Sequence, residues 1–116
     1  MANLKHVRRL KQGAAAWNEW REQNPMIRLD LSKAHLRGVD LSGTDLSEAD
    51  LEGADLSEAD LGSAKLNEAF LLDAKLSRAN LSHAELQSAD LTQTDLSFAN
   101  LSTPGHKFEA PRNRET

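Results

Sequence analysis

Residues 49–66 read ADLEGADLSEADLGSAKL, and leucine occupies every fifth position from residue 51 on. The spacing holds without exception from Leu31 to Leu101, which gives 15 leucines in 15 consecutive five-residue steps. Alanine stands two positions before 11 of these leucines, with Leu29, Val39, Thr44 and Thr94 as variants, and the residue between is usually Asp or Asn. A repeat of this regularity decides the fold before any other feature of the chain is considered.

A period of five fits neither an α-helix nor a flat β-strand. Five helical residues rotate by about 140° net, so successive leucines would spiral around a helix. In a strand, an odd step would send successive leucines to opposite faces. A chain that turns at every repeat can direct all the leucines to one axis. The period therefore predicts an all-β solenoid with a leucine-filled interior and coils paired about 4.8 Å apart.

The repeat has the form A(D/N)LXX, as in Ala49–Gly53, Ala79–His83 and Ala99–Thr103. This pattern resembles the pentapeptide-repeat family over residues 29–103, which are 75 of the 116 residues. The resemblance implies a right-handed quadrilateral β-helix with four pentapeptides in each coil and about four coils in total.

Charges at the position before leucine also favour a four-sided coil. With a 20-residue step, four opposite-charge pairs stack against two like-charge pairs, whereas a 15-residue step gives three of each. Stacked opposite charges contribute roughly 0.2–1 kcal/mol each, so the preference is small. The opposite-charge pairs are Asp45–Lys65, Lys65–Glu85, Asp55–Lys75 and Lys75–Asp95, and the like-charge pairs are Asp30–Asp50 and Asp40–Asp60.

Residues from about Asn3 to Gln23 are predicted to form one α-helix that ends before Pro25, with Asn3 as its N-cap. Helical spacing predicts an apolar stripe of Leu4, Val7, Leu10, Ala14 and Trp17. The open end of a solenoid exposes apolar core and unpaired backbone, so we expect this helix to cap the first coil. The alternative is a basic amphipathic helix for a membrane surface or nucleic acid.

The sequence therefore divides into three predicted regions. Residues 1–28 form the N-terminal capping helix and linker, residues 29–103 the β-helix of 15 repeats, and residues 104–116 a C-terminal tail. The segment Ala16–Arg21, followed by Asn24 and Pro25, resembles the N-terminal segment of many cyanobacterial pentapeptide-repeat proteins.

Composition bounds the location and the partners. The chain has no cysteine and no apolar run long enough to cross a membrane, and its N-terminus is too polar for a secretory signal. We therefore expect a cytoplasmic protein with no membrane partner. The repeats carry five basic and 14 acidic residues, a net charge of −9, which disfavours direct binding to nucleic acid.

The sequence predicts no enzyme. The four histidines, His6, His35, His83 and His106, lie on different elements without metal-ligand spacing. No glycine-rich phosphate loop is present, and the serines occupy repeated surface positions. The regularly spaced aspartates are expected to bond nearby backbone, and a solenoid filled with leucine offers no pocket to raise the pKa of one of a catalytic pair. We therefore predict no catalytic, cofactor-binding or metal site.

Three functions remain open from the sequence. The first is a structural scaffold of the pentapeptide-repeat family that binds an unidentified protein, with a partner patch formed by Phe70, Leu72 and Phe98. The second is an acidic mimic of DNA, because some members of the family bind DNA gyrase. The residues of this acidic surface would be Asp40, Asp45, Glu48, Asp50, Glu52, Asp55, Glu58 and Asp60. The third is a module that acts only with a partner or a fused domain.

The C-terminal coil offers a further hypothesis. No second helix is available in the sequence to cap it. A bare coil would present unpaired backbone to a second copy of the chain. We therefore predict a homodimer through the C-terminal end.

Overall fold

The computed structural model describes residues 2–102, in which two short helices precede a solenoid of five-residue repeats. Helix α1 spans Leu4–Leu10 and helix α2 spans Ala14–Gln23. Within this part of the chain, 11 isolated parallel bridges follow, and each one joins residues 20 positions apart. A step of 20 residues is the length of four repeats, and we call each such step a coil.

Between Leu31 and Ala99, every repeat ends in a tight corner. The leucine carbonyl accepts a hydrogen bond from the N–H three residues later, as from Ala34 to Leu31 at 3.1 Å. The third residue of each corner between positions 33 and 98 has a φ between 58° and 73°. A single positive φ at this position is typical of a type II turn. Glycine adopts it without strain, and Gly38, Gly43 and Gly53 lie at such corners.

The expectation of an all-β solenoid with one N-terminal helix is confirmed in part, and the structure differs from it in two respects. Two helices are present instead of one, and the solenoid pairs through single bridges, with no longer strand between residues 2 and 102. The reason is the spacing of the corners. Each face of the solenoid is only a few residues long, so two neighbouring coils form single bridges and no extended strand.

Leucine side chains fill the interior, as the period predicts. The leucines at every fifth position from 31 to 76 are fully buried, and the alanines two positions before them are buried beside them. Towards the C-terminal end the burial decreases, and Leu101 is 38% exposed. All six residue pairs that the 20-residue step stacks occur as backbone bridges, both the four of opposite charge and the two between aspartates, and within residues 2–102 no ion pair joins any of them.

The aspartates before the leucines hold the corners in shape. In Asp40 and Asp95, one carboxylate oxygen accepts both the backbone N–H and the hydroxyl of the serine two residues later, at 2.6–3.0 Å. These donors lower the pKa of both carboxyl groups below the usual range for aspartate. Bonding to nearby backbone was the structural role predicted for this position.

The prediction of one continuous N-terminal helix is wrong. Helix α1 ends at Leu10, and Gly13 has a φ of 114°, which no helix accommodates. The N–H of Gly13 donates to the carbonyl of Leu10 at 3.2 Å, and α2 begins at the next residue. This break lets Leu10 and Trp17, on different helices, both reach the leucine core, where both are fully buried.

The start of α1 also differs in part from the prediction. The side chain of Asn3 accepts hydrogen bonds from the N–H groups of Lys5 and His6, so the predicted N-cap is confirmed. Leu4, however, is 66% exposed, and His6 is buried instead. Helix α1 directs towards the solenoid the face that carries His6, whose imidazole accepts a hydrogen bond from the solenoid backbone. Leu4 lies on another face of the helix and is therefore exposed.

Helix α2 satisfies backbone groups of the first coil that have no earlier coil to pair with. The indole Nε1 of Trp17 donates to the carbonyl of Asp45 at 2.8 Å, and Arg21 donates to the same carbonyl at 2.7 Å. The side-chain amide of Asn18 takes the place of a neighbouring coil as a hydrogen-bond partner. It accepts from the N–H of Asp45 and donates to the carbonyl of Gly43. The helix thus seals one side of the solenoid end with hydrogen bonds as well as apolar contact.

Helix α1 does the same at the opposite end of the first coil. The N–H of Asn3 donates to the carbonyl of Asp30 at 2.9 Å, and the N–H of Asp30 donates to Nδ1 of His6 at 3.2 Å. His6 also lies 5.5 Å from the ring of Trp20. Because Nδ1 must be unprotonated to accept, the contact requires neutral imidazole.

Acid should therefore weaken the cap through His6. Burial lowers the pKa of folded His6 below its ordinary value of 6.5, and the charge of Arg9 lowers it further against the opposing effect of Asp30. The unfolded chain consequently binds a proton first as the pH falls. The stability that this site contributes is complete above the unfolded pKa and is lost as the pH falls through the folded pKa.

Urea unfolding at about pH 7.5 and about pH 5 measures this loss, with His6→Gln as the comparison chain. Glutamine retains an acceptor but does not titrate, so the wild type should lose more stability between the two pH values than the variant. Equal losses would show that His6 does not titrate against folding. The other histidines are common to both chains and cancel.

The predicted tail, residues 104–116, lies outside the described residues. The homodimer through the C-terminal end therefore stays a prediction.

Candidate partner-binding groove

A short linker joins α2 to the solenoid and leaves two apolar side chains exposed. Helix α2 ends before Pro25, and Asn24 closes it by donating from its side chain to the carbonyl of Trp20 at 2.9 Å. The N–H of Ile27 returns to the carbonyl of Asn24 at 3.3 Å. The linker turns so tightly that Met26 is 90% exposed and Ile27 is half-exposed.

A groove of about 700 Å³ lies between this linker and one corner of the solenoid. Its floor and walls come from the linker, the end of α2 and three successive coils. The lining residues are Arg21, Pro25, Met26, Ile27, Arg28, Leu29, Ser47, Glu48, Glu68, Phe70 and Ser88. Residues 48, 68 and 88 follow one another at the 20-residue step, so one corner of three coils forms the wall opposite the linker.

Phe70 is the aromatic side chain of this groove. It occupies the position before leucine. Backbone bridges join it to Asp50 and Asp90, which hold the same position in the neighbouring coils, and we call such a column of bridged residues a ladder. The N–H of Phe70 donates to the carbonyl of Ala49, and its carbonyl accepts from the N–H of Leu51, at 2.9 and 2.8 Å. The backbone of Phe70 is therefore fixed between coils, while its side chain is 46% exposed.

The charged residues of the groove differ in whether they have a partner. Arg21 is committed to the cap, because it donates to the carbonyls of Asp45 and Ser47 and lies 3.7 Å from the carboxylate of Asp45. Glu48 and Glu68 are exposed, and within residues 2–102 neither carboxylate has a hydrogen bond or an ion pair. The groove thus combines an apolar surface with two unpaired negative charges.

The structure does not bring the three residues of the predicted patch together. Phe70 lines the groove, whereas Leu72 is half-buried and Phe98 lies at a different corner. Phe98 is 81% exposed and stacks under the guanidinium of Arg78, whose Cζ lies 5.0 Å from the ring centroid. The contribution of Met26 and Ile27 was missed, because no repeat pattern indicates where a linker lies.

The five aspartates of the predicted acidic surface are distributed among four ladders, and its three glutamates lie at corners between them. Asp40 and Asp60 share one ladder, while Asp45, Asp50 and Asp55 lie on the three others. Two members are also partly neutralised. Asp45 lies near Arg21, and the carboxylate of Glu58 forms an ion pair with Arg37 at 3.2 Å.

The histidines are separate in the described chain. His6 belongs to the cap. His35 is exposed in the ladder of Asp55, and His83 is exposed at a corner. His106 lies outside the described residues. Within residues 2–102 no three His, Asp or Glu side chains are grouped as metal ligands. Neither described helix has the length and apolar character needed to cross a membrane.

Comparison with known proteins agrees with the five-residue repeat. The family model for pentapeptide repeats matches with 8 copies, over residues 26–62, 54–93 and 74–103. The chain belongs to the pentapeptide-repeat family. The comparison with curated proteins returned no match.

The solved structures that are similar to this chain include two pentapeptide repeat proteins. The pentapeptide repeat protein Rfr23 from the cyanobacterium Cyanothece 51142 is 38% identical with a TM-score of 0.63, and the match covers 69% of this chain and 53% of Rfr23. A pentapeptide repeat protein of the Arabidopsis thaliana thylakoid lumen is 30% identical with a TM-score of 0.58, and the match covers 66% of this chain and 59% of that protein. The matched region thus spans little more than half of each relative. Both likenesses indicate a β-helix solenoid.

Proposed function

We propose that this protein is a non-catalytic scaffold that binds another protein through the groove beside Phe70. The observation that carries the proposal is the position of this aromatic side chain. It stands in a ladder whose other members are Asp30, Asp50 and Asp90, and it faces the exposed apolar side chains of the linker across one concavity. Apolar side chains that converge on a concave surface are typical of binding sites for proteins and ligands.

The construction of the groove supports this function physically. Phe70 is held by two backbone bonds to the preceding coil, and the corner residues Glu48 and Glu68 are held by bonds to the next coil at 2.9 and 2.8 Å. A preformed surface loses little conformational entropy when a partner binds. A solenoid with a preformed apolar groove therefore suits a scaffold.

The nucleic-acid mimic has less support from the geometry. A DNA-like surface needs its charges on one side of the rod, and these carboxylates divide among four ladders. A supercoiling assay with DNA gyrase separates the two functions, and we expect no inhibition.

The handedness of the solenoid, its number of sides and its number of coils form part of the same proposal. We take the solenoid as a right-handed quadrilateral β-helix of about four coils. The 20-residue step of the bridges and the family membership support this description.

Affinity capture with Phe70→Glu tests the proposed site. The full chain is immobilised, incubated with a lysate of the native host, and compared with the variant by mass spectrometry. We expect the specific partner to be lost, because a charge in the apolar groove must be desolvated on binding. Phe98→Glu is the matched control, since it removes an exposed aromatic outside the groove. The same partners on wild type and Phe70→Glu would show that the groove is not the site.

A further inference from the structure

We infer that the groove takes a basic segment of a partner protein, in which a leucine or phenylalanine side chain is flanked by lysine or arginine. This inference rests on the proposed function and names the chemistry of the partner. Three features of the groove carry it: an unneutralised pair of glutamates, an apolar wall that can adapt, and a positive charge confined to the linker side.

The glutamates form the first feature. Glu48 and Glu68 occupy the same corner of successive coils, and like charges stacked on adjacent chains destabilise each other. The two ion pairs of residues 2–102 involve other carboxylates, those of Asp45 and Glu58. A lysine or arginine placed between Glu48 and Glu68 would relieve this repulsion and gain two partners at once.

The apolar wall forms the second feature. Met26 and Ile27 face the groove from the linker, and Phe70 faces it from the solenoid. Methionine is unbranched and polarizable, so it adapts to partners of different shape, whereas Phe70 is fixed by its ladder. One leucine or phenylalanine of a partner would bury its side chain between these walls and exclude water from them.

The distribution of positive charge forms the third feature. Arg21 is engaged with backbone carbonyls and Asp45, so the groove has one other arginine, Arg28, for which the described chain provides no ion pair. Two unpaired glutamates against one unpaired arginine leave the groove negative. An acidic segment would therefore be repelled at the corner, and a basic segment attracted there.

Fluorescence anisotropy with three synthetic peptides tests the inference on the full chain. Each ten-residue peptide places two leucines in the middle, flanked by lysines in the first, glutamates in the second and glutamines in the third. We expect the lysine peptide to bind most tightly and its binding to weaken as salt is added. The double substitution Glu48→Gln with Glu68→Gln should weaken binding of this peptide about threefold or more, as expected for two exposed ion pairs.

Glu58→Gln is the matched control. Glu58 occupies the equivalent position of its repeat with the same positive φ, but it lies outside the groove. It should leave peptide binding unchanged. Circular dichroism of each variant verifies that the solenoid remains folded.

The outcomes separate the inference from the proposed function. If Phe70→Glu abolishes partner capture while the double glutamine variant binds the lysine peptide normally, the groove is the site but its partner is not basic. Preference for the glutamate peptide, or no binding of the lysine peptide at about 1 mM, also overturns the inference. A concentration-dependent dimer of the wild type that Phe70→Glu dissociates would place a second copy in the groove and overturn it as well.

Discussion

Insertion of a single residue between Ser63 and Ala64 is expected to unfold the solenoid beyond that point. The insertion shifts every later residue by one position relative to the preceding coil, so Leu66 and its successors could keep the 20-residue pairing only by turning away from the axis. Each leucine contributes roughly 1.5–3 kcal/mol of burial, and at least five of these later leucines are buried. The loss is therefore comparable to the whole stability of a small domain, about 5–15 kcal/mol.

Urea unfolding followed by circular dichroism measures this effect. We expect a large fall in the midpoint and a smaller slope with urea, because less surface remains to be exposed. Insertion of a complete five-residue repeat at the same point is the matched control, since it keeps the leucines inward and should be tolerated far better. Leu61→Ala provides a scale, because one cavity of this kind costs about 2–5 kcal/mol. Equal tolerance of one and five inserted residues would contradict the five-residue register.

Trp17→Ala is expected to cost about 3–5 kcal/mol, the largest effect of any single substitution in the cap. Trp17 is fully buried against the leucine core, and its Nε1 donates to the carbonyl of Asp45. The substitution removes both contributions and opens the first coil to water, while Arg21 alone remains bonded to that carbonyl.

Trp20→Ala serves as the control for the loss of a tryptophan from the same helix. Trp20 is half-buried and packs on Trp17 and His6, with centroid distances of 5.4 and 5.5 Å. Its removal should cost roughly half as much. Chemical denaturation of both variants gives the comparison. A smaller effect for Trp17→Ala than for Trp20→Ala would show that Trp17 does not close the solenoid.

The regular part of the fold follows directly from the sequence. A leucine at every fifth position permits only a chain that turns at every repeat, and the glycines at the third corner position indicate a positive φ there. The charges of Asp45, Lys65 and Glu85 even favour the correct stacking step. These features are predictable because each repeat meets only its neighbours, so local rules determine the structure.

The cap was predictable only in outline. The spacing of Leu10 and Trp17 indicates a helical stripe but does not reveal that Gly13 separates two helices. The sequence also gives no sign that His6 is buried instead of Leu4, because this depends on a hydrogen bond to Asp30, 24 positions away. Contacts between unlike elements are decided by tertiary geometry, which a repeat pattern does not contain.

Two residues that line the candidate site, Phe70 and Glu48, were among the site residues predicted from the sequence. Phe70 differs visibly from the aspartates at the equivalent positions of its ladder, and it lines the groove. The other wall comes from Met26 and Ile27, whose location follows from the turn at Asn24 and not from any period. Exposed apolar residues just after a helix and just before a repeat are the signal that could have indicated this groove.

The stacking step itself can be measured with one engineered disulfide. The hydroxyl oxygens of Ser57 and Ser77 lie 3.5 Å apart in successive coils, and the chain has no cysteine. Neighbouring chains in a ladder are about 4.8 Å apart, within the range that a disulfide spans. We predict that mild oxidation of the double variant Ser57→Cys and Ser77→Cys forms an intramolecular disulfide in high yield. Ser42→Cys with Ser57→Cys, 15 positions apart, should not form one. Rapid disulfide formation in the second variant and not in the first would contradict the 20-residue coil.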